Sequence, residues 1–195
     1  GISCGEGGVC CISDDEIADR LRLFRAHGVA RDADLAWRRN TLAHGQNFRL
    51  ANLNAALACS QFDQFSTFKE RRKVVATTYS RILSDTGRVA LPEPGFGDPS
   101  WQMFPVLVPE SRRDELVIEL NEMGVGASVH FDPPLHLQTA FERFQADDRG
   151  LPLTEKIASQ VVTLPMHSLL TAGEAEAIAT NLKKILERTQ AGSAS

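Results

Sequence analysis

Residues 1–13 read GISCGEGGVCCIS, and the reading of this stretch decides what kind of chain follows. Gly5, Gly7 and Gly8 crowd around Glu6. Glycines so close together permit positive φ and close backbone approach, as in a tight turn or beneath a bound group. The plain reading is a hairpin; the other is a loop from the middle of something larger. GGVCCIS (7–13) then reads as a short strand. Ser13 caps a helix, with Glu16 three residues on completing a capping box. Ile17, Leu21 and Phe24 recur at i, i+4 and i+7, and Gly28 stops the helix.

Composition narrows the class. The chain has 195 residues, enough for one domain or two small ones. Apolar residues make up 43% and charged residues 24%, the balance of a globular protein with a real core. The net charge of -4 carries no basic excess, and the local cluster Arg71, Arg72, Lys73 sits among acidic residues, so nucleic acid is not an expected partner. No apolar run reaches the length of a membrane span, and the first residues do not read as a signal peptide. Cys4, Cys10, Cys11 and Cys59 form no CxxC pair. Because Cys10 and Cys11 fall in the expected strand, buried free thiols in a reducing cytoplasm are expected.

Residues 29–46 show mixed charge and no period, and read as a loop or broken helix of a length often tied to function. From Asn52 a helical pattern runs for about thirty residues, longer than the average globular helix, and suits a bridge between domains. Leu50, Leu53, Leu57, Phe62, Phe65 and Phe68 form its broad face, continued by Val75, Tyr79 and Ile82. LPEPGFGDPS (91–100) marks a boundary. Beyond it MFPVLV (103–108) reads as a strand that Pro105 confines to an edge or bulge. Ser111 caps a helix carrying Leu116, Leu120 and Met123 and ending at Gly124. ASVHF (127–131) and VVTLP (161–165) read as further strands. Thr171 and Glu174 form a second capping box before Ile178, Leu182 and Ile185. The tail TQAGSAS (189–195) lacks apolar anchors and is expected to fray. Strands alternating with helices predict an α/β layer.

Single motifs say little about chemistry. The glycine loop fits neither GxxxxGK nor GxGxxG. His130 and His136 flank FDPPL, and a six-residue spacing does not put two imidazoles on one helical face, which argues against a metal pair. Asp132 beside His130 reads either as an acid–base pair or as a solvated loop residue. HGQNFRLANLNAAL (44–57) gathers His44, Gln46, Asn47 and Arg49 just before a helix. Free N–H groups at a helix start suit anion binding, and simple capping by Asn47 or Asn52 explains the same residues.

Three blocks taken together are more informative. GISCGEGGVCCISDDEIADRLRLFRAHG (1–28), GQNFRLANLNAALACSQFDQF (45–65) and SVHFDPPLHLQTAF (128–141) follow one another as they do in the pyridoxal-phosphate (PLP)-dependent sugar aminotransferases of DegT/StrS type. The chain resembles the C-terminal half of these fold type I enzymes from Gly1 to about Glu187. The resemblance implies an α/β fold made of the closing part of a PLP-transferase large domain (1–68), a bridging helix and linker (69–90), a small C-terminal α/β domain (91–188) and a flexible tail (189–195).

The resemblance also gives the opening loop a meaning. In the family the lysine that forms the Schiff base with the cofactor lies just before such a loop, and here it is expected immediately before Gly1. Lys69, Lys73, Lys156, Lys183 and Lys184 stand in helical or exposed contexts, so no catalytic residue is assigned within residues 1–195, and the fragment alone is expected to be inactive. Asn47 in NFRL matches the asparagine that reaches across a dimer interface to the PLP phosphate, with Phe48 and Leu50 replacing tyrosine and methionine. Arg49, His130 and His136 match substrate-side positions. Asp132 replaces a proline, Gln102 stands where many relatives carry histidine, and the tyrosine pair expected before Asn47 is missing from DLAWRRNTLAH (34–44). The implied protein is a cytoplasmic homodimer with shared active sites, aminating a nucleotide-linked keto sugar with an amino-acid donor such as glutamate or glutamine, in polysaccharide or lipopolysaccharide biosynthesis. Two alternatives are a pyridoxamine-phosphate-dependent sugar dehydratase of the same fold, with histidine in place of that lysine, and a non-catalytic sugar-nucleotide-binding or regulatory dimer module.

Overall fold

The computed structural model describes residues 1–31, 37–144 and 150–192. They gather into two compact units, Ile2–Phe65 and Ser66–Ser195, the latter joined by Gly1.

In the first unit, α1 spans Asp15–Phe24. Its N-cap is Asp14, whose carboxylate accepts from the Ile17 amide at 2.9 Å, one residue after the expected Ser13. A charged acceptor makes the stronger cap, and Asp15 and Glu16 in the first turn complement the helix dipole. The helix closes at Phe24, short of Gly28. His27 and Gly28 both take left-handed φ (67° and 69°) and turn the chain into β1 (Val29–Arg31). That strand pairs antiparallel with β2 (Arg39–Thr41), Val29 opposite Thr41. The stretch read as a loop or broken helix therefore contains two paired strands, and residues 32–36 within it lie outside the described residues. Three-residue strands are too short to show a period, which is why the pattern was silent.

The strand expected over GGVCCIS does not form. A strand exists only by pairing, and here β1 and β2 pair with each other, leaving residues 7–12 without a ladder. Cys10, Cys11 and Cys59 are exposed and Cys4 is half-buried, all four unpaired, so the expected buried thiols are corrected. Two helices replace the single long one: α2 (Asn52–Asp63) and α3 (Phe65–Leu83). At Gln64 the amide turns back to Gln61 O at 3.2 Å, and the side chain donates to Ser60 O at 3.3 Å. The tightened turn and the side-chain cap satisfy the last carbonyls and end α2 without proline or glycine.

The second unit holds the core. β3 (Phe104–Leu107) pairs antiparallel with β4 (Val161–Leu164), Phe104 opposite Leu164. Single bridges extend this pair, Ala90 to Leu107 on one side and Ser128 to Thr163 on the other. Phe104 and Val106 point inward while Pro105 is exposed, the period of two expected for a half-buried sheet. Toward Ala90 the ladder touches only Leu107, so Pro105 interrupts nothing there. The expected strand ASVHF is reduced to the bridge at Ser128, because Phe131 (φ 61°) turns the backbone away.

Helices cover the sheet. α3 brings Val75, Ala76, Tyr79 and Leu83; α4 (Arg113–Glu122) brings Leu116 and Leu120; α6 (Ala172–Gly192) brings Ala175, Ile178, Ala179, Leu182, Ile185 and Leu186. These recur at three- and four-residue intervals, as a helix with one buried face requires. The Tyr79 hydroxyl donates to Pro165 O at 2.8 Å, satisfying the polar end of a fully buried ring. The Thr171–Glu174 box forms as expected: the Glu174 amide donates to Thr171 Oγ1 at 3.2 Å, and Thr171 N donates to Glu174 Oε2 at 2.8 Å. α4 has no side-chain cap and opens from a 3-10 turn at Glu110–Arg112, which replaces the expected Ser111 cap. A short helix α5 (Pro152–Ala158) precedes β4. α6 continues through Gly192, further than the expected start of the tail; residues 193–195 lie outside the described residues.

Among the described residues, no helix is long and apolar enough to cross a membrane. None of their His, Cys, Asp and Glu side chains gather in threes or more as a metal would require.

Candidate functional site

In the first unit a backbone clasp positions the NFRL block. Gln46 N donates to Phe24 O at 2.7 Å, His27 N to Gln46 O at 3.0 Å, and Phe48 N to Arg25 O at 2.9 Å. Asn47 therefore bridges Ala26 as an isolated β pair, and the Phe48 ring lies 5.8 Å from that of Phe24. The end of α1 thus fixes where Asn47 stands. Arg49 Nε donates to Asn47 Oδ1 at 3.1 Å, and both side chains are exposed.

Neither Asn47 nor Asn52 caps α2. The N-cap residue is Ala51, with no side-chain hydrogen bond. The plain capping explanation of these polar residues therefore fails. With its oxygen engaged by Arg49, Asn47 has amide N–H groups left to offer, beside a guanidinium. This all-donor set matches an oxyanion such as a phosphate.

The glycine loop is held against the same block. Asn54 Nδ2, one turn into α2, donates to Glu6 O at 2.9 Å. A Cβ on Gly7 would stand 2.7 Å from Leu50 Cδ1 and 3.2 Å from Cys4 Sγ, so only glycine lets Leu50 close over the loop. Two of the three sequence blocks thus meet in one unit. Asn54→Ala is expected to loosen this loop by about 0.5–1.5 kcal/mol, the net worth of one hydrogen bond. Amide hydrogen exchange at Glu6–Gly8 should rise while exchange in α6 stays constant; unchanged exchange at the loop would mean Asn54 does not hold it.

The third block lies in the second unit. His130 Nδ1 is 2.9 Å from Thr163 Oγ1 and 3.5 Å from Ser128 Oγ. Thr163 is buried in β4, so the sheet itself anchors the ring. His136 Nε2 donates to Glu155 Oε1 at 3.0 Å, and Leu151 N donates to the same oxygen at 3.0 Å. The His136 bond first, then the Leu151 amide, hold the Glu155 carboxyl below its ordinary range. Asp132 pairs with Arg113 Nη2 at 2.9 Å and is not bonded to His130, which removes the acid–base pair left open by the sequence.

Arg113 also pairs with Asp114 at 2.7 Å and donates to Ala158 O. The Asp114 hydrogen bond first, with Asp132, raises its pKa further. A cavity of about 310 Å³ opens beside it, lined by Arg113, Asp132, Pro133, Leu137, Glu155 and Ser159. The charged groups there largely satisfy one another, so this hollow offers a ligand less than the exposed donors of Asn47 and Arg49. Thr163, Glu155 and Arg113 were not singled out from sequence. They stand 19 to 33 residues from the groups they hold, and no local pattern links them.

The chain matches the model of the DegT/DnrJ/EryC1/StrS aminotransferase family over residues 1–183. It belongs to this family. Among solved structures, the DegT-family chain is similar to DesV of S. venezuelae, captured with a ketimine intermediate (28% identity, TM-score 0.79, covering 89% of this chain and 45% of that one). It is similar to Helicobacter pylori PseC, an aminotransferase of pseudoaminic acid biosynthesis (24%, TM-score 0.82, 90% and 47%). It is also similar to Spr1654 of Streptococcus pneumoniae in its PMP-form (22%, TM-score 0.82, 91% and 46%), a protein also solved in a PLP-form. The α/β fold is that of these aminotransferases, and this family member spans about half the length of the structures it matches. The donors at Asn47 and Arg49 fit the phosphate of such a cofactor. All five lysines lie on helices α3, α5 and α6.

Proposed function

We propose that this DegT-family chain is the C-terminal half of a cytoplasmic, PLP-dependent aminotransferase that aminates a nucleotide-linked keto sugar, with an amino acid such as glutamate or glutamine as donor. Polysaccharide or lipopolysaccharide biosynthesis would consume the product. The single observation that carries the reading is the junction of the glycine loop with NFRL, which supports taking Asn47 and Arg49 as an oxyanion-binding pair beside the loop that follows the reactive lysine in this family. That lysine is placed immediately before Gly1, so residues 1–195 alone are inactive on this reading.

When bound, the cofactor supplies the electron sink for moving an amino group. This chain's residues bind and orient. The Asn47 amide and the Arg49 guanidinium hold the phosphate or a substrate anion by charge-assisted hydrogen bonds. His130, anchored on Thr163, and His136, held by Glu155, present imidazoles to the sugar. Asn47 serves the site of a neighbouring subunit, which makes the working protein a two-fold dimer with paired sites.

Complementation tests the shared site. In the full-length enzyme, Asn47→Ala should weaken PLP by about 1.5–3 kcal/mol, the value of one charge-assisted hydrogen bond. Mixed with a lysine-dead mutant, it should yield heterodimers in which one site carries both defects and the other carries neither. Part of the activity then returns. Proven subunit exchange without any recovery would show that Asn47 serves its own subunit.

A further inference from the structure

Thr163 carries a buried hydroxyl whose hydrogen has one place to go. The residue is 5% exposed on β4, between the buried side chains of Val162 and Leu164. Its main chain is taken up by Ser128: the Thr163 amide donates to Ser128 O at 2.7 Å, and Ser128 N donates to Thr163 O at 3.1 Å. This bridge fixes the segment that carries His130, two residues beyond Ser128. Among the described residues, the one polar partner of the Thr163 hydroxyl is His130 Nδ1, at 2.9 Å. The exposed Ser128 hydroxyl reaches the same nitrogen at 3.5 Å. A neutral imidazole carries its proton on one nitrogen and a lone pair on the other. With the proton on Nδ1, that N–H would donate to Thr163 Oγ1 and leave the hydroxyl hydrogen buried without an acceptor. With the proton on Nε2, the hydroxyl donates to the Nδ1 lone pair, and Nε2–H stays free on an exposed ring. A buried donor left unpaired is the costlier arrangement.

We propose that Thr163 is the positioning residue that fixes His130 with its proton on Nε2, so that the imidazole offers a ligand a hydrogen-bond donor and no lone pair. That the ligand is a sugar rests on the proposed function; the place of the proton does not. In this form His130 takes an oxygen that accepts, such as the carbonyl or a hydroxyl oxygen of a keto sugar. It cannot draw a proton from a substrate amine or hydroxyl, because its one lone pair is turned toward β4. A neutral imidazole N–H still polarises the oxygen to which it donates. Thr163 acts only through the ring that it orients, and the bond it makes sets both the direction and the chemical sense of the exposed nitrogen.

The test uses full-length protein with isotope-labelled histidine, held above the pH range in which imidazoles titrate. Nitrogen NMR reads which ring atom carries the proton, and the His130 signals are identified by their loss in His130→Gln. In the unmutated protein Nε2 should be the protonated nitrogen, with the Nε2–H form in excess by about tenfold or more. Thr163→Val keeps the shape of the side chain and removes the hydroxyl, and should cut that excess about two- to tenfold. Thr163→Ser, which returns the hydroxyl, should restore it. A proton on Nδ1 in the unmutated protein overturns the inference, and so does an undiminished excess in Thr163→Val. A fall in Thr163→Val that Thr163→Ser does not restore also overturns it, since lost packing and not the hydroxyl would then be the cause. Should Thr163→Val not fold, the unmutated spectrum decides, and a proton shared evenly between the two nitrogens overturns the inference. No substrate enters this measurement, so its failure leaves the proposed function standing. A protein that passes it and aminates no nucleotide-linked keto sugar fails the proposed function alone.

Discussion

Replacing Phe104 with alanine is expected to destabilise the second unit by about 3–5 kcal/mol, the cost of emptying a buried aromatic site. Phe104 is fully buried on β3, its ring 5.0 Å from that of Tyr79 and 5.6 Å from that of Trp101. The Tyr79 hydroxyl is tied to Pro165 O, so the ring above the new cavity cannot drop in to fill it without breaking a buried hydrogen bond. Trp101 is constrained too, by its left-handed backbone (φ 49°). The cavity therefore stays open, which is the costly case. Phe96→Ala is the control. That ring is fully exposed in the proline-rich stretch, and its loss should change stability by no more than about 0.5 kcal/mol. Urea denaturation followed by Trp101 fluorescence would compare the two at constant m. A midpoint shift for Phe96→Ala equal to that for Phe104→Ala would mean that β3 is not the core strand.

The second large effect belongs to the first unit. Gly45→Ala is expected to cost at least about 3 kcal/mol, the upper part of the range for an overpacked site. A Cβ there would lie 2.7 Å from Phe24 O and would also strike the backbone of His27 and Gly28. All three obstacles are main chain, and none can swing aside as a flexible side chain would. Gly28 answers from the facing segment, where a Cβ would strike the Ala43 carbonyl. Prising these segments apart strains the bonds from Gln46 N to Phe24 O and from Phe48 N to Arg25 O, so Asn47 loses its place along with the fold. If Asn47 holds the cofactor phosphate as proposed, the variant should also weaken PLP binding in the full-length protein. Gly173→Ala provides the contrast. It lies in α6 with open space around it, and alanine there should leave stability unchanged or raise it by up to about 1 kcal/mol. Equal melting of Gly45→Ala and unmutated protein would show that the two backbones do not cross so closely.

Some of this was legible in the sequence because the signal is local. The Thr171–Glu174 box needs only a three-residue spacing, and it forms as read. Ile178, Leu182 and Ile185 lie on one face whatever they meet, because helix geometry alone sets that face. The three blocks identified the family because their order along the chain survives without any knowledge of contacts. MFPVLV read as a strand from its local run of apolar residues, and Phe104–Leu107 within it forms β3.

Tertiary structure decided the rest, because local patterns do not specify partners. GGVCCIS has the residues of a strand and no ladder to join, so its cysteines face outward. Ile17, Leu21 and Phe24 have the spacing of a buried stripe yet remain partly exposed along a groove on α1. Residues 29–31 and 39–41 have no period and still pair, since two short strands gain their hydrogen bonds only from each other. Asp132 stands next to His130 in the chain but bonds to Arg113, while His130 takes Thr163 and His136 takes Glu155. A side chain's nearest neighbour in sequence often points elsewhere, whereas a group 33 positions away can lie at 2.9 Å once β4 is in place. The sequence by itself determined the family and the helix faces. The pairing of strands, the burial of stripes and the choice of hydrogen-bond partners waited for the fold, because each depends on segments brought together only when the core closes.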